Sequence, residues 1–576
     1  MRGAPAGGDE ERDAALMTSG ETIRRARWRV WAVAAFALLS CAAGVFSLPP
    51  LDRDESRFAQ ATAQMLESGD FIAIRFQADE RNKKPVGIHW LQAASVAAFS
   101  SVDAREIWAY RLPSIAGAVL AALFTYWIGA RLYGAQTGFF AALLLASAPA
   151  LVGESTIAKT DAMLLATIAG AQWALVHIVA AIMEKQKPAL ITVAGFWIAV
   201  GAGLLIKGPI ILIVVGASLA AIAARGSRFE LLAGVKPLFG AVILIAMAAP
   251  WAIAVDMATD GRFFAEAVGG DMLAKISAAQ ESHAGPPGYY LALLFALFWP
   301  AAALIPAAAR EAFADRNDWR CWFLISWIAP SWIIFELTAT KLPHYTLPLY
   351  PAIAIFVARA ATRYDDSRGA MTRRAGAVIY ALVGAAFASL IVIAPRLYRT
   401  GFSTFDGAAP AAGFAIAVAA TTILFWRSRA RAALTSAIFV SSAMMWTILA
   451  GAAPELDRLH VSPRLSAAVE AAGLHPLRNS APSVALAGYR EPSAIFLLGT
   501  HTILTDGRGA AELEDDAPRA VIVEKREEPI FLQRTAELGS DAEPLAVIGG
   551  LNYSNGDEVL LRVYRVGART QKAEAK

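Results

Sequence analysis

The residues from Leu51 to Ala59 set Asp52, Asp54 and Glu55 among Arg53 and Arg57, directly after the first long apolar run of the chain. Charge placed there serves either anchoring or chemistry, and Asp54 is the carboxylate that could carry the chemistry. Further charged knots stand at the edges of apolar segments: Lys83-Lys84-Pro85, Lys159 with Asp161, Lys207-Gly208-Pro209, and the stretch from Lys341 to Tyr345, which contains His344. A lysine beside a helix-breaking proline can keep a cation against an anionic ligand, because the break also frees backbone groups. The same residues have plainer uses. Lys207 could snorkel from a helix end, Lys341 could anchor at the interface, and Lys159 with Asp161 could be a simple ion pair. Asp54 could cap a helix, although Asp52 and Glu55 have capping-box spacing and would leave it free.

Composition says which elements must hold these knots. Hydrophobic residues make up 57% of the chain, charged ones 17%, and the mean hydropathy is +0.47. That is more apolar surface than a water-soluble domain can bury. Apolar runs of about 17 to 22 residues, long enough as helix to cross about 30 Å of hydrocarbon, alternate with short polar loops. The reading is an all-α polytopic membrane protein with about thirteen transmembrane helices, over 30–48, 111–130, 136–152, 162–183, 189–205, 210–224, 236–255, 289–309, 320–338, 346–362, 374–394, 410–426 and 432–452. The net charge of +4, scattered over short loops, gives no reason to expect a nucleic-acid partner.

Alternating those spans puts Arg24, Arg25, Arg27, Arg29, Arg131, Lys185, Lys187, Arg225, Arg228, Arg310, Arg316, Arg320, Arg363, Arg368, Arg373, Arg374, Arg427, Arg429 and Arg431 on one side. By the positive-inside rule that side is cytoplasmic. Every charged knot named above then faces outward, so one shared external cavity is expected. Residues 1–27 read as a disordered cytoplasmic tail, 28–452 as the transmembrane domain with its first external loop over 49–110, and 453–576 as a small α/β domain in the periplasm. Span one reads as a signal anchor, without a cleavage pattern.

Within the first external loop, Phe58, Ala61, Met65 and Leu66 share one side of a stretch that Gly69 should stop. This predicts an amphipathic juxtamembrane helix lying on the membrane, and the apolar stretch 86–99 predicts a second. Cys41 and Cys321 lie too far apart along the bundle for a disulfide, and neither has a metal-ligand neighbour. No phosphate-loop, dinucleotide or HExxH motif is present. His283 reads as a loop histidine and His177 as a packed core residue.

The ordered set of motifs resembles the polytopic GT-C glycosyltransferases that use polyprenyl-phosphate sugars, in particular the bacterial lipid A aminoarabinose and galacturonate transferases, with protein O-mannosyltransferases as more distant relatives. The resemblance rests on Arg53-Asp54-Glu55 with Arg57-Phe58-Ala59, the stretch from Met65 to Asp70, Lys84-Pro85, Arg111-Leu112-Pro113, Asp161, Lys207-Gly208-Pro209, the stretch from Lys341 to Tyr345 with Leu347 to Pro351, and Asn552-Tyr553-Ser554. It implies an external cavity where a polyprenyl-phosphate-linked sugar enters from the membrane lipids and a lipid or glycan acceptor is glycosylated. By this resemblance Asp54 is the catalytic base and Asp161 the second catalytic carboxylate. Lys84, Lys207 and Lys341 hold the donor phosphate, with Glu55, Arg57, His283, His344 and Tyr345 as neighbours. No nucleotide cofactor is implied. Family members often carry an acidic residue where this chain has Lys83, and a cation there argues against a carboxylate-held divalent metal. The expected place is the bacterial inner membrane. The alternative from a different class is a transporter or flippase for a lipid or an anionic solute, since buried lysines and carboxylates also mark substrate pathways.

Overall fold

The computed structural model describes residues 27–567 apart from 227, 268, 270–284, 364–369 and 514–516. Residues 1–26, with Arg24 and Arg25, as well as Arg368 and His283, lie outside the described residues. Long apolar runs become helix because hydrocarbon offers no partner for a backbone N–H or C=O, so each must bond within its own segment. Among the described residues eight helices are long and apolar enough to cross a bilayer: Ile107–Tyr133, Asp161–Met183, Leu190–Lys207, Pro237–Ala258, Trp319–Leu337, Arg374–Tyr398, Asp406–Trp426 and Ala430–Glu455. A ninth crossing arises if the pair Ala135–Ala146 and Pro149–Ser155, bent by 60°, is one span. The chain is a multi-pass membrane protein.

We label the helices as far as the site needs them: α1 (27–41), α2 (Asp54–Ser68), α3 (Gly87–Phe99), α4 (Ile107–Tyr133), α5 (Ala135–Ala146), α6 (Pro149–Ser155), α7 (Asp161–Met183) and α8 (Leu190–Lys207). α4 packs on α5 and α7, and α7 on α8. Some apolar runs are broken by their own prolines. The run 289–309 divides into the helix Tyr289–Leu297, a 3₁₀ turn at Trp299–Ala301 containing Pro300, and the helix Ile305–Ala314 with Pro306 in its first turn. The run 346–362 opens inside a 3₁₀ segment, Pro343–Leu349, before the helix Tyr350–Thr362. Cys41 and Cys321 are free thiols and buried.

α2 ends at Gly69, whose φ of 72° is left-handed and whose N–H bonds Met65 O. α2 does not carry the free polar face of a simple amphipathic helix. Its residues are buried on several sides, including the polar Gln60, Thr62 and Gln64. One side meets α3, where the Thr62 hydroxyl donates to Gln92 Oε1 at 2.7 Å. The other meets the C-terminal segment, where Gln60 Nε2 donates to Thr500 Oγ1 at 2.7 Å. Between α2 and α3 runs a two-stranded antiparallel ribbon, β1 (Arg75–Phe76) and β2 (Asp79–Glu80).

The C-terminal segment carries a five-stranded sheet of β3 (Ala485–Ala487), β4 (Ile503–Thr505), β5 (Arg519–Glu524), β6 (Ala542–Asn552) and β7 (Asp557–Val566), in the order β4-β3-β5-β7-β6. β3 pairs parallel with β4 and β5, whereas β7 pairs antiparallel with β5 and β6. Every residue of β3 and β5 is buried, as expected of strands covered on both faces. Leu465, Leu486, Ile522 and Leu561 fill one side and Ala485, Val521, Val523 and Phe531 the other. The helix Pro492–Leu498 docks this segment on α2, and its Phe496 ring meets Tyr110 of α4 edge-on at 5.3 Å.

Candidate active site

Three helix ends converge to make the site. α7 begins at Asp161, α8 ends at Lys207, and α3 begins just after Lys84 and Pro85. Gly87 permits the approach of α3 to α8, because a Cβ there would lie 2.6 Å from Leu205 O, and that closeness brings Lys84 toward Lys207. Gly117 does the same for α4 and α7: its Cβ would meet the backbone of Ala162 at 2.7 Å.

Lys207 Nζ donates to Asp161 Oδ1 at 2.5 Å. Lys159 Nζ lies 2.8 Å from Glu154 Oε2 and 3.7 Å from Asp161 Oδ2. The His344 ring spans both carboxylates, with Nδ1 3.5 Å from Glu154 Oε1 and Nε2 3.6 Å from Asp161 Oδ1. Burial, reinforced by Lys159 and Lys207 against the opposing pull of Asp161, holds the His344 imidazole down to about 3, so it is neutral at physiological pH. For Lys159, burial works against the charge, but Glu154 and Asp161 outweigh it and hold the ammonium above its ordinary range.

This ionic group closes one end of a cavity of about 570 Å³. Lys83, Lys84, Asp161, Lys207, His344 and Tyr345 line the polar end, and Leu205, Trp251, Phe263, Phe335 and Leu347 are among the apolar walls. Lys159 and Lys207 pair with Glu154 and Asp161, and Lys83 and Lys84 line the same cavity as Asp161 and Lys207, which leaves an excess of positive charge beside a hydrophobic chamber. Such a chamber suits an amphiphile with an anionic head.

Asp54 stands outside the cavity wall, exposed at the start of α2, and its carboxylate makes no hydrogen bond among the described residues. It nevertheless lies close enough to Lys159 to raise that ammonium further. Glu55 explains the closeness. Its carboxylate, 1% exposed, receives Arg111 Nε and Nη2, both at 2.8 Å, Ala158 N at 2.8 Å and Leu51 N at 2.9 Å. The remaining N–H groups of Arg111 donate to the carbonyls of Val45, Leu48 and Pro49. Ser114, one turn further along α4, donates to Ile157 O at 2.7 Å. The end of the α1 segment, the first turn of α2, α4 and the turn before α7 are thus pinned to one buried ion pair. Glu55 is a pin here, with no carboxylate oxygen left for a ligand.

The capping-box expectation for Asp52 and Glu55 is likewise corrected, because α2 has no side-chain cap at all and Asp52 Oδ1 accepts from Ser493 N at 3.2 Å. Arg57 is half-buried and acts on Asp52. Lys341 is not brought into the cavity wall. It is 7% exposed, with Nζ 3.1 Å from Glu336 Oε1 and 3.3 Å from Pro286 O. His177 hydrogen-bonds Trp173 O at 2.8 Å inside α7. Among the described residues no group of three or more His, Cys, Asp or Glu side chains is arranged to hold a metal ion.

Residues 83–253 match the sequence family described as dolichyl-phosphate-mannose-protein mannosyltransferase. The chain is 26% identical over 342 residues to the undecaprenyl phosphate-alpha-4-amino-4-deoxy-L-arabinose arabinosyl transferase of Yersinia pestis (strain Pestoides F), covering 59% of this chain and 60% of that protein. It is also 26% identical over 404 residues, 69% of each chain, to the protein of the same name from Erwinia tasmaniensis. The aligned part therefore falls short of two thirds of the Yersinia protein's length. Among solved structures, ArnT from Cupriavidus metallidurans in the apo state superposes with a TM-score of 0.71 at 18% identity, covering 93% of this chain and 98% of that one. This chain shares the fold of that ArnT. The same ArnT bound to undecaprenyl phosphate superposes with a TM-score of 0.70 at 17% identity, over 93% and 97% of the two chains.

Within this fold the side chain that sequence reasoning passed over is Glu154. It stands as a lone carboxylate within a mostly apolar run, between Gly153 and Ser155, and that isolation was the available signal.

Proposed function

We propose that the protein is an integral membrane glycosyltransferase that moves a sugar from a polyprenyl-phosphate donor to a lipid A, core or other envelope acceptor at the periplasmic face. The observation that carries this reading is the cavity of about 570 Å³ whose apolar walls end among Lys83, Lys84 and Lys207. A polyprenyl chain fits the walls and its phosphate the lysines. The arabinosyl transferases named above and the ArnT bound to undecaprenyl phosphate support the same donor class.

The proposed topology has thirteen spans, the N-terminus in the cytoplasm of a bacterial inner membrane, and residues 453–576 as a periplasmic α/β domain. In the proposed reaction Asp54 takes the proton of the acceptor hydroxyl as its oxygen bonds the sugar C1. The bond from C1 to the phosphate oxygen breaks, and the polyprenyl phosphate leaves with one more negative charge. Lys84 and Lys207 stabilise that charge where it develops. Asp161 orients Lys207 through their 2.5 Å contact, and neutral His344 with Tyr345 bounds the sugar side of the phosphate. Lys341, already paired with Glu336, serves the cavity from outside its wall. The reaction as written uses no nucleotide.

Mass spectrometry of envelope lipids from cells with and without the protein tests the reading. The expected result is a glycolipid heavier by one sugar residue that vanishes with the gene. Unchanged glycolipids together with altered transbilayer distribution of an anionic lipid would favour the transporter alternative.

A further inference from the structure

We infer that the turn between β6 and β7 is a clamp that positions Asp54, with Tyr553 as the positioning residue; the inference rests on the glycosyltransferase reading and extends it to the C-terminal segment. The start of α2 is poorly held by its own residues. Arg53, which precedes Asp54, has a φ of 63° and a ψ of −110°, and no side chain caps the helix. A non-glycine residue in that region is strained and persists only where its surroundings over-determine it.

The surroundings that do so come from some 500 residues away. Asp52 N donates to the Tyr553 hydroxyl at 2.6 Å, and the Arg53 guanidinium donates to Ser554 O. These two bonds straddle the strained peptide on the N-terminal side of Asp54. The turn that supplies them is braced in its own right. Glu491 accepts from Asn552 Nδ2 at 2.7 Å and from Ser554 Oγ at 3.1 Å, and Asn552 Oδ1 accepts from Ser554 N at 3.0 Å. Ser493 N, two residues beyond Glu491, holds Asp52 Oδ1.

The geometry resembles a bracket: Glu491 shapes the turn, the turn holds 52–53, and 52–53 sets the direction in which α2 leaves and Asp54 points. The Glu55 pin on Arg111 fixes where this turn of helix lies, while the bracket fixes the backbone torsion just before the base. Misplacing a reacting group by about 1 Å can cost on the order of 100-fold in rate, so the hydroxyl of Tyr553 should matter to turnover although it touches no substrate.

The test uses the full-length protein in nanodiscs and two variants. Tyr553→Phe removes only the hydroxyl, and Arg53→Gly removes the guanidinium tie while suiting the left-handed φ. Four readouts are taken: hydrogen exchange of the amides of residues 52–57, binding of undecaprenyl phosphate, the thermal midpoint, and the rate at which the envelope glycolipid forms in membranes. Tyr553→Phe should speed exchange at Asp52 by about tenfold, the scale of one lost hydrogen bond. It should slow glycolipid formation by between about 10-fold and 100-fold and leave the affinity for undecaprenyl phosphate unchanged. Arg53→Gly should keep or raise the thermal midpoint yet lose rate similarly. Normal product formation in both variants overturns the inference, as does unchanged exchange at Asp52. A loss of rate matched by an equal loss of undecaprenyl phosphate binding also overturns it, because that is what general unfolding of the site produces. If the wild type itself makes no glycolipid, the functional reading fails along with the catalytic half of the inference, and the exchange rates alone then decide whether the clamp exists.

Discussion

At the scale of single residues, the site pairs an unengaged carboxylate with lysines that are already partnered. Asp54 has no hydrogen bond among the described residues to hold it, so replacing it by Asn changes little in the fold, and Asn serves the start of a helix about as well as Asp. Asp54→Asn should therefore lower transfer by two or more orders of magnitude, the usual weight of a general base, with undecaprenyl phosphate still bound. Near-normal turnover by purified Asp54→Asn would move the role of base to Asp161. The lysines divide by position. Lys207 lines the cavity and Lys341 does not, so Lys207→Ala should weaken binding of undecaprenyl phosphate by about tenfold or more, the weight of one charged hydrogen bond. Lys341→Ala should weaken it less. Titration of both variants with the lipid measures the difference, and a larger loss at Lys341 would place the phosphate at the Glu336 end instead.

Among elements, the decisive joint is the one that Arg111 and Glu55 make between α2, α4 and the turn before α7. A buried pair with every donor and acceptor engaged is costly to break from one side, by about 3 to 5 kcal/mol, because the partner is left charged and alone. Arg111→Met should accordingly lower the thermal midpoint of the protein in detergent and reduce its yield. An Arg111→Met protein as stable as wild type would mean that water replaces the guanidinium and that the joint is looser than its distances imply. Sequence reading found α2 and its Gly69 stop from the spacing of Phe58, Ala61, Met65 and Leu66, yet it expected a free polar face opposite them. The polar face of Gln60 and Gln64 looks like a solvated face until Thr500 and Gln77 are seen against it.

On the scale of the whole molecule, two predictions concern how the C-terminal segment sits. The proposed topology of thirteen spans from a cytoplasmic N-terminus predicts that a reporter fused after residue 452 is active only in the periplasm, and cytoplasmic activity would remove the common external face from the proposal. Asp52, where the C-terminal segment meets α2, has a pKa pushed up to about 6, first by burial and then by Glu491, against the opposing effects of Ser493 and Arg57. A carboxyl raised above its ordinary value of 3.8 is easier to protonate in the docked state than in the undocked one. Its contribution therefore opposes docking above pH 6, and docking strengthens as pH falls through 6 toward 4. Hydrogen exchange at residues 491–494 should be slower at pH 5 than at pH 7.5 after correction for intrinsic rates, and the reverse order would contradict the sign.

What the sequence by itself determined is whatever hydrocarbon and water impose locally: the membrane class, the long apolar helices, and charge gathered at their ends as Lys84, Asp161 and Lys207. Those follow from composition and spacing, because an apolar run must be helical and a charge must sit near its edge. Only the tertiary structure decided which of the charges meet. Glu55 looked like a ligand neighbour and is instead consumed by Arg111, 56 positions on; Lys341 looked equivalent to Lys207 and pairs with Glu336; Glu154 drew no notice and bridges Lys159 and His344. The Tyr553 turn reaches Asp52 across 501 positions. Pairings of this kind depend on how helices cross and how closely glycines such as Gly87 let them approach, and no local period of the chain records that.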